Sequence, residues 1–396
     1  MSRKTLKDID ISGKRLLIRA DFNVPLEGTT ITDDARIAKT LPTIQYALSK
    51  NAKVILMSHL GRPKGKPTPE FSLKPVAVRL GELLKKNVEL LPDCVGPQVE
   101  SRIQKMKNGE VVLLENLRFH SEEEKNDAGF SKQLAALGEI YVDDAFGACH
   151  RAHASTAGVA EHLPAVAGLL MAKEIEYFDK VIDSPDRPFV AIMGGAKVHD
   201  KIKLINNLIQ KVDTLLIGGG MAYTFVKAQG KSIGTSKLDE EGLKLVPGIF
   251  AEAKKRNVKI IIANDWVIAQ EFKENSPTKI VEESIPDGWM GLDVGPKTIE
   301  KFKSALQDAK LVLWNGPVGV FEWKAFEKGT KSVAEFLANS AATVVVGGGD
   351  SAAAIKKYNL ESKVAHVSTG GGASLEYLEG QVLPGIACLA EAECTV

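Results

Sequence analysis

The feature that most constrains the fold is a repeated order of segments: a short run rich in Val, Ile and Leu, a polar or glycine-rich break, and a helical stretch. The ten apolar runs span residues 15–20, 53–57, 111–114, 140–142, 189–193, 214–217, 258–263, 311–313, 343–346 and 364–367. Runs that are apolar throughout are typical of strands covered on both faces. The sequence therefore predicts an α/β fold, with parallel sheets and crossover helices.

Composition narrows the class of protein. The chain has 396 residues, of which 44% are apolar, and this length predicts two or three domains. Its 51 basic and 50 acidic residues nearly cancel, so we expect no nucleic-acid or membrane partner. No signal peptide and no membrane-spanning run is visible. The four cysteines (Cys94, Cys149, Cys388 and Cys394) form no C-x-x-C pair, which indicates reduced thiols in a cytoplasmic protein.

The breaks after the apolar runs are where we expect ligands to bind, because open α/β sheets bind ligands beyond the carboxyl ends of their strands. The first four breaks carry arginine and histidine, whereas the last six carry glycine and lysine. The first half therefore suits a highly charged anion, and the second half suits a nucleotide. Residues 164–188 between them hold a helical stretch followed by SPDRP, and we place the domain boundary there.

Four arginines in the first half follow predicted strands: Arg36, Arg62, Arg118 and Arg151. Each alone fits a surface ion pair, but four planar guanidinium groups that converge would bind phosphate or carboxylate. His59 and His153 are candidate general bases, but contacts with the same anion are favoured, because phosphoryl transfer would need little general-base chemistry. His150 and His153 have the spacing of a metal pair, but the sequence shows no second cluster of ligands nearby, and zinc is not favoured.

Three further interpretations concern the first half. Asp21 and Asn23 follow a predicted strand, where they make a turn or orient the arginines. The acidic run 122–124 is interpreted as solvated surface. Cys149 lies two residues from Arg151, and a basic loop of this kind should favour the thiolate.

In the second half, the segment 363–379 (KVAHVSTGGGASLEYLE) runs from a predicted strand through Gly370, Gly371 and Gly372 into a helix. Free N–H groups at such a junction, with the helix dipole, suit a phosphate. One glycine alone would indicate only a tight turn, but three in a row favour an anion site.

Charged residues support the same interpretation of the second half. Lys197 and Lys201 are predicted to lie on one helical face, as a clamp for polyphosphate or as a solvated face. Glu322 is a candidate acceptor for ribose hydroxyls. Asp350 opens a helix after a glycine run, where it can hold Mg²⁺ or cap the helix.

Several common motifs are absent from the sequence. It contains no G-x-x-x-x-G-K-[ST], no G-x-G-x-x-G with a following acidic residue, and no G-x-S-x-G. These absences argue against a P-loop enzyme, a dinucleotide enzyme and an ester hydrolase.

The motifs together resemble the phosphoglycerate kinase family over about Leu16 to Ala387. They are RADFNVP, SHLGRP, LLENLRFH, HRAHAST, GGAKV-DKI, WNGPVGVFE, GGGDSAAA and STGGGASLEYLEG, in that order. The resemblance implies two similar Rossmann-like domains with parallel sheets, joined by a helical hinge. It implies a triose-binding domain over 1–170, completed by 378–396, and a nucleotide-binding domain over 171–377.

The resemblance also implies an activity of glycolysis and gluconeogenesis. A phosphoryl group would pass between 1,3-bisphosphoglycerate and MgADP, giving 3-phosphoglycerate and MgATP. The resemblance also implies a monomer whose two domains close around the two substrates. Two alternatives remain: a non-catalytic nucleotide-binding scaffold of the same fold, and a two-domain dehydrogenase.

The site residues that the resemblance implies fall into three sets. The triose site would comprise Asp21, Asn23, Arg36, His59, Arg62, Arg118 and Arg151. The nucleotide site would comprise Gly195, Lys197, Lys201, Gly219, Gly291, Asn315, Pro317, Glu322, Gly348, Gly349, Asp350 and Ser351, with Asp350 toward the metal. The residues that meet the transferred group would be Arg36, Lys197, Gly371 and Gly372. The sequence departs from the family pattern at Ala148, Cys149 and His199, none of which fills a charged role.

Overall fold

A computed structural model of the chain describes residues 3–183 and 185–392, so Cys394 lies outside the described residues. Its internal contacts divide it into two units. Unit 1 runs to Glu176 and includes the residues from Val382 onward, and unit 2 spans Tyr177–Gln381. This division and the predicted boundary at 170/171 fall within the same helix, Leu169–Ile182.

Unit 1 is built on a six-stranded parallel sheet in the order β5-β6-β4-β1-β7-β8. Its strands, with a separate two-stranded β2–β3 hairpin, are β1 (Arg15–Arg19), β2 (Leu26–Glu27), β3 (Thr30–Ile31), β4 (Lys53–Met57), β5 (Val88–Leu90), β6 (Val111–Leu113), β7 (Ile140–Asp143) and β8 (Ala165–Ala167). The helices are α1 (Ala35–Ser49), α2 (Lys74–Leu84), α3 (Pro97–Gln104), α4 (Ser121–Glu124), α5 (Ala128–Ala135) and α6 (Leu169–Ile182), which crosses the division between the units.

The central strand of this sheet shows why continuous apolar runs predict it. Leu16, Leu17 and Ile18 are all fully buried, although successive side chains point to opposite faces. Ile37 and Ile44 of α1 pack in the same core as Leu16 and Ile18. Both faces of the sheet are therefore covered, as the apolar runs predict.

Unit 2 has a second six-stranded parallel sheet, in the order β11-β10-β9-β15-β16-β17, and a three-stranded antiparallel sheet, β13-β12-β14. The strands are β9 (Phe189–Met193), β10 (Thr214–Ile217), β11 (Lys259–Ile262), β12 (Asp265–Ala269), β13 (Lys279–Glu282), β14 (Met290–Val294), β15 (Leu311–Asn315), β16 (Thr343–Gly347) and β17 (His366–Val367). The helices are α7 (Ile202–Ile209), α8 (Gly219–Ala228), α9 (Glu240–Lys255), α10 (Pro296–Leu306), α11 (Lys328–Ala338), α12 (Gly349–Lys357) and α13 (Gly372–Leu378).

The end of the described chain belongs to unit 1. The short helix α14 (Pro384–Ala387) follows Val382, and the N–H of Gly385 donates to the carbonyl of Cys149 at 2.9 Å. The N–H of Ala390 donates to the carbonyl of Ala165 at 3.0 Å. The described C-terminal segment thus packs beside β8, at the edge of the unit 1 sheet.

The two parallel sheets confirm the predicted fold class, since each of the ten apolar runs overlaps one of their strands. The antiparallel sheet was not predicted. Its strand β13 is largely exposed, so it carries no continuous apolar run. Among the described residues, no helix combines the length and the apolar character that a membrane span needs.

Candidate active site

Arginine and histidine side chains meet at the carboxyl ends of the unit 1 strands. We call this group the basic cluster; it comprises Arg19, Arg36, His59, Arg118, Arg151 and His153. The strands β6, β4, β1 and β7 are consecutive neighbours in a parallel sheet, so the loops that follow them share one edge. Residues far apart in sequence are brought together for this reason.

Asp21 and Asn23 organise the loop that follows β1. One carboxylate oxygen of Asp21 pairs with the guanidinium group of Arg36, and the other accepts the N–H of Asn23 at 3.2 Å. The side-chain oxygen of Asn23 accepts the N–H of Gly61 at 2.9 Å. Asp21 therefore makes the turn and also orients Arg36, whereas Asn23 joins this loop to the loop after β4.

Arg118 is held rigidly in the loop after β6. The side chain of Asn116 accepts the Arg118 N–H at 3.0 Å, and Nη1 of Arg118 donates to the carbonyl of Gly61 at 2.9 Å. Its Nε lies 3.4 Å from a carboxylate oxygen of Glu124. Burial lowers the pKa of Arg118, although the negative charge of Glu124 acts to raise it. A guanidinium group kept in such surroundings suits an anionic ligand.

The two buried histidines of the cluster are neutral near pH 7. Burial and the adjacent guanidinium groups hold the pKa of His59 well below its usual value and lower the pKa of His153 to about 4. Nη2 of Arg19 lies 3.0 Å from Nδ1 of His59. Because arginine only donates, Nδ1 of His59 accepts and its Nε2 carries the proton. His59 is therefore a neutral hydrogen-bond donor among cations.

The remaining two predicted arginines are exposed. Arg62 follows Gly61, whose backbone contacts both Asn23 and Arg118. Nε of Arg151 donates to Nε2 of His150 at 3.1 Å. The field of Arg151 lowers the pKa of both Arg118 and His153, so Arg151 lies near them.

Two buried charged residues at the cluster, Arg19 and Glu123, were not predicted. Arg19 ends β1, is 1% exposed, and donates from Nε to the Ser155 hydroxyl at 2.8 Å. Glu123 belongs to the acidic run interpreted as solvated surface, and that interpretation is wrong for this residue. Its side chain is fully buried and accepts from the N–H of Ser155 at 3.0 Å and from its hydroxyl at 2.6 Å. A charged residue at the end of an apolar run was the available signal for Arg19.

The predicted thiolate at Cys149 is also wrong. Cys149 is fully buried, and a Cβ added at Gly385 would lie 2.7 Å from its Cβ. Burial raises the pKa of the Cys149 thiol well above its ordinary value. The cysteine is a core residue despite its position two residues from Arg151.

In unit 2, the loop after β9 is held by a partly buried lysine. Nζ of Lys201 donates to the carbonyl of Gly194 at 2.9 Å and to the side-chain oxygen of Asn315 at 2.6 Å. Burial lowers the pKa of Lys201 to about 8. Lys197 is exposed in the loop before the short 3₁₀ helix His199–Lys201, so the prediction that both lysines share a helical face is wrong.

The loops after four neighbouring strands of unit 2 interlock through glycine and proline backbone. The N–H of Gly195 donates to the carbonyl of Pro317 at 3.2 Å. Gly219 has φ +61°, and a Cβ there would lie 2.7 Å from the same carbonyl. The hydroxyl of Ser351 accepts the N–H of Gly316 at 2.6 Å. Only glycine fits such close approaches, and they bring backbone amides to the sheet edge.

Two predicted residues lie beside these loops. Gly291 belongs to β14, where a Cβ would lie 2.4 Å from the hydroxyl oxygen of Tyr223. Glu322 is exposed, and the backbone next to it is fixed because Nζ of Lys357 donates to the carbonyl of Phe321 at 2.6 Å.

Asp350 lies in the first turn of α12 and is exposed. The N-cap residue of this helix is Gly348, with φ +88°, so the alternative interpretation of Asp350 as the cap is not supported. The negative charge of Asp350 raises the pKa of Lys201 and so acts against the effect of burial. The two charges therefore lie near each other. An exposed carboxylate at the exposed Gly349 turn is a suitable ligand for Mg²⁺.

The triple-glycine segment forms the predicted junction between a strand and a helix. Gly371 is the N-cap of α13, with φ +51° and ψ −113°, and the hydroxyl of Ser368 accepts the N–H of Gly370 at 3.0 Å. A Cβ at Gly371 or Gly372 would meet no described atom within 4 Å. The backbone here borders open space that a ligand can occupy.

Comparisons with known proteins agree with this architecture. The family model for phosphoglycerate kinase matches residues 6–381. The phosphoglycerate kinase of Moorella thermoacetica is 55% identical over 392 residues, covering 99% of this chain and 100% of the relative. The one from Borrelia hermsii is 54% identical, covering 98% of this chain and 100% of the relative.

Solved structures give the same result. The structure of phosphoglycerate kinase from Coxiella burnetii matches with a TM-score of 0.90 at 41% identity, covering 98% of each chain. The structure from Pyrococcus horikoshii OT3 matches with a TM-score of 0.81 at 32% identity, also covering 98% of each chain. The chain belongs to the phosphoglycerate kinase family.

Proposed function

We propose that the chain catalyses reversible phosphoryl transfer between 1,3-bisphosphoglycerate and MgADP, giving 3-phosphoglycerate and MgATP. The observation that carries this proposal is the basic cluster of unit 1, which gathers guanidinium groups and neutral imidazoles at one sheet edge. A small, highly charged acid is the substrate that such a site suits. Membership of the family supports the same reaction.

The triose residues have distinct roles in this proposal. Arg62, Arg118 and Arg151 bind the phosphate and carboxylate of the triose, because planar guanidinium forks match both groups. His59 donates a hydrogen bond without adding a charge. Asp21 orients Arg36, which contacts the acyl phosphate that leaves the triose.

The nucleotide lies on unit 2 in this proposal. The nucleotide contacts the backbone around Gly195, Gly219, Gly291, Pro317, and Gly348 to Ser351. Glu322 accepts hydrogen bonds from the ribose hydroxyls. Lys201 and Asn315 fix the loop after β9. Lys197 and the amides of Gly371 and Gly372 contact the phosphoryl group that is transferred.

Magnesium enters with the nucleotide. Asp350 offers a hard oxygen ligand at the exposed turn before α12, and Mg²⁺ usually takes one or two carboxylates together with substrate phosphates. The cation, when bound, neutralises negative charge on those phosphates. Lys201, which lies nearby, supplies a second positive charge.

A coupled assay tests the reaction. Purified protein should form ATP from 1,3-bisphosphoglycerate and ADP, and turnover should depend on Mg²⁺. ADP binding without turnover would instead support the non-catalytic scaffold. A change of NADH fluorescence on adding the protein would support a dehydrogenase. We further propose a cytoplasmic monomer, and light scattering at working concentration should give the mass of one 42.7 kDa chain.

A further inference from the structure

Three side chains with metal-ligating atoms meet in unit 1 outside the basic cluster. They are Asp93, Cys94 and His120, and one ligating atom of each lies within 4.8 Å of the other two. Within residues 3–183 and 185–392, no other three His, Cys, Asp or Glu side chains meet this closely. The proposed phosphoryl transfer uses none of the three.

Adjacent strands bring these residues together. Asp93 and Cys94 follow β5, and His120 follows β6, its neighbour in the parallel sheet. Nε2 of His120 lies 2.7 Å from Oδ1 of Asp93, which also accepts the N–H of Cys94 at 2.6 Å. The ring of Phe130 stacks on His120 with centroids 5.2 Å apart and planes 30° apart. Packing and hydrogen bonds therefore fix the imidazole and the carboxylate before any ion arrives.

We infer that Asp93, Cys94 and His120 form a binding site for a borderline-soft divalent cation, of which Zn²⁺ is the best match. Zn²⁺ accepts sulfur, imidazole nitrogen and carboxylate oxygen in tetrahedral sites, and three protein ligands leave its fourth position open. Mg²⁺ prefers an all-oxygen octahedral shell and does not suit this set. The site is therefore distinct in chemistry from the proposed magnesium position at Asp350.

Burial shows how the ion enters. Cys94 is fully buried, whereas the side chains of Asp93 and His120 are 46% and 29% exposed. The ion arrives past the carboxylate and the imidazole, and the sulfur lies at the inner end of the site. The partly exposed carboxylate is the first negative charge that the cation meets.

Binding exchanges a proton for the metal. The Cys94 thiol loses its proton to solvent as the sulfur–metal bond forms, so one proton is released for each ion bound. The hydrogen bond between His120 and Asp93 is replaced by two metal–ligand bonds. Nε2 of His120 then presents its lone pair to the metal, and the ring proton moves to Nδ1.

Co²⁺ is a suitable probe, because it enters zinc sites and absorbs light when a thiolate binds it. Full-length protein stripped of metal by a chelator and titrated with Co²⁺ should show a thiolate-to-cobalt absorption band that saturates at one equivalent. Zn²⁺ should abolish the band, and excess Mg²⁺ should not. Cys94→Ser should remove the band. Cys149→Ser, which alters an equally buried cysteine of the same unit, should leave the band unchanged.

A second variant keeps the inference testable if Cys94→Ser does not fold. His120→Gln alters a partly exposed side chain and should weaken Zn²⁺ binding at least tenfold, since even ligand-supporting partners cost roughly 10- to 100-fold. Circular dichroism should show that this variant remains folded. The inference is overturned by the absence of a band, by a band that survives Cys94→Ser, or by unchanged Zn²⁺ affinity in folded His120→Gln. Because the readout is metal binding, its failure leaves the proposed phosphoryl transfer untouched.

Discussion

The candidate sites of unit 1 and unit 2 occupy the same position in two similar sheets but are built from different groups. In unit 1, arginine and histidine side chains from β1, α1 and the neighbouring loops form the basic cluster. In unit 2, glycine and proline backbone interlocks, with Lys201 and Ser351 holding the loops. We propose from this comparison that side-chain charge in unit 1 binds a small compact acid, whereas backbone groups and a few cations in unit 2 bind an extended polyphosphate.

The two sites also differ in how they tolerate desolvated charge. The basic cluster keeps several guanidinium groups together, with Asp21 paired to Arg36, Glu123 buried and Glu124 near Arg118 as compensation. Its histidines stay neutral because burial, and then the positive field of the arginines, lower their pKa. Lys201 of unit 2 instead donates to carbonyl and amide oxygens, and burial lowers its pKa to about 8. Side-chain substitutions should therefore matter more in unit 1, and glycine substitutions more in unit 2.

The largest effect is expected from Arg36, which we place at the reacting phosphate. By analogy with arginine fingers, Arg36→Ala should lower kcat roughly 10³-fold or more. The KM for ADP should barely change, because we propose that the nucleotide binds on unit 2. Steady-state kinetics in both directions measure these values, with Arg102→Ala as the control, since Arg102 pairs with Glu89 and Glu110. A kcat within threefold of the unsubstituted enzyme would remove Arg36 from the transfer step.

Arg118→Ala should raise the KM for 3-phosphoglycerate roughly 10- to 100-fold, since a hydrogen bond to a charged group contributes about 1.5–3 kcal/mol. The KM for ATP should change much less, because Arg118 lies in unit 1. Initial-rate kinetics with each substrate varied in turn separate the two constants. Equal weakening of both substrates would contradict the division of the substrates between the units.

Gly219→Ala tests the backbone site. A left-handed conformation costs a non-glycine residue about 1–2 kcal/mol. The new Cβ would also lie too close to the carbonyl oxygen of Pro317. We therefore expect ADP to bind about tenfold more weakly. Gly248→Ala is the matched control, because a Cβ there meets no described atom within 4 Å. Fluorescence titration with ADP measures the effect. Identical ADP affinities in the two variants would contradict the backbone account.

Asp350→Asn should weaken MgADP by several-fold and metal-free ADP by less, because a hard cation prefers a carboxylate ligand. Titrations with ADP at high and chelated Mg²⁺ measure both affinities. If the two affinities fall together, Asp350 acts on the loop rather than on the metal.

His153 gives the basic cluster a predicted sensitivity to acid. Its pKa is about 4 in the folded protein against an ordinary 6.5, so the folded state binds fewer protons between these values. The free energy of unfolding should therefore fall as pH drops from 6.5 to 4. His153→Gln should flatten this dependence, whereas the exposed His162→Gln should not. Urea unfolding across this pH range measures the slopes, and equal slopes in the two variants would contradict the lowered pKa.

The sequence predicted the parallel sheets because a strand buried on both faces leaves a continuous apolar run, as in β1 and β15. It did not predict β13, whose exposed side chains follow no such pattern. The division into arginine-rich and glycine-rich breaks could also be predicted, because each break directly follows a predicted strand. Local pattern and chain order were sufficient there.

The failures lie where distant parts of the chain decide the environment. Glu123 is buried because Ser155, from a later loop, satisfies its carboxylate. Cys149 is buried under Gly385, more than 200 residues further along the chain. Lys197 and Lys201 have helical spacing, but the loop after β9 extends too far for a shared helix. A local window cannot contain these contacts.

The most direct test of the contrast between the units is calorimetric binding of each substrate alone to Arg118→Ala and to Gly219→Ala. We predict that Arg118→Ala weakens 3-phosphoglycerate and leaves ADP unchanged within error, and that Gly219→Ala does the reverse. If either variant weakens both ligands equally while remaining folded, the separation between a side-chain site in unit 1 and a backbone site in unit 2 is wrong.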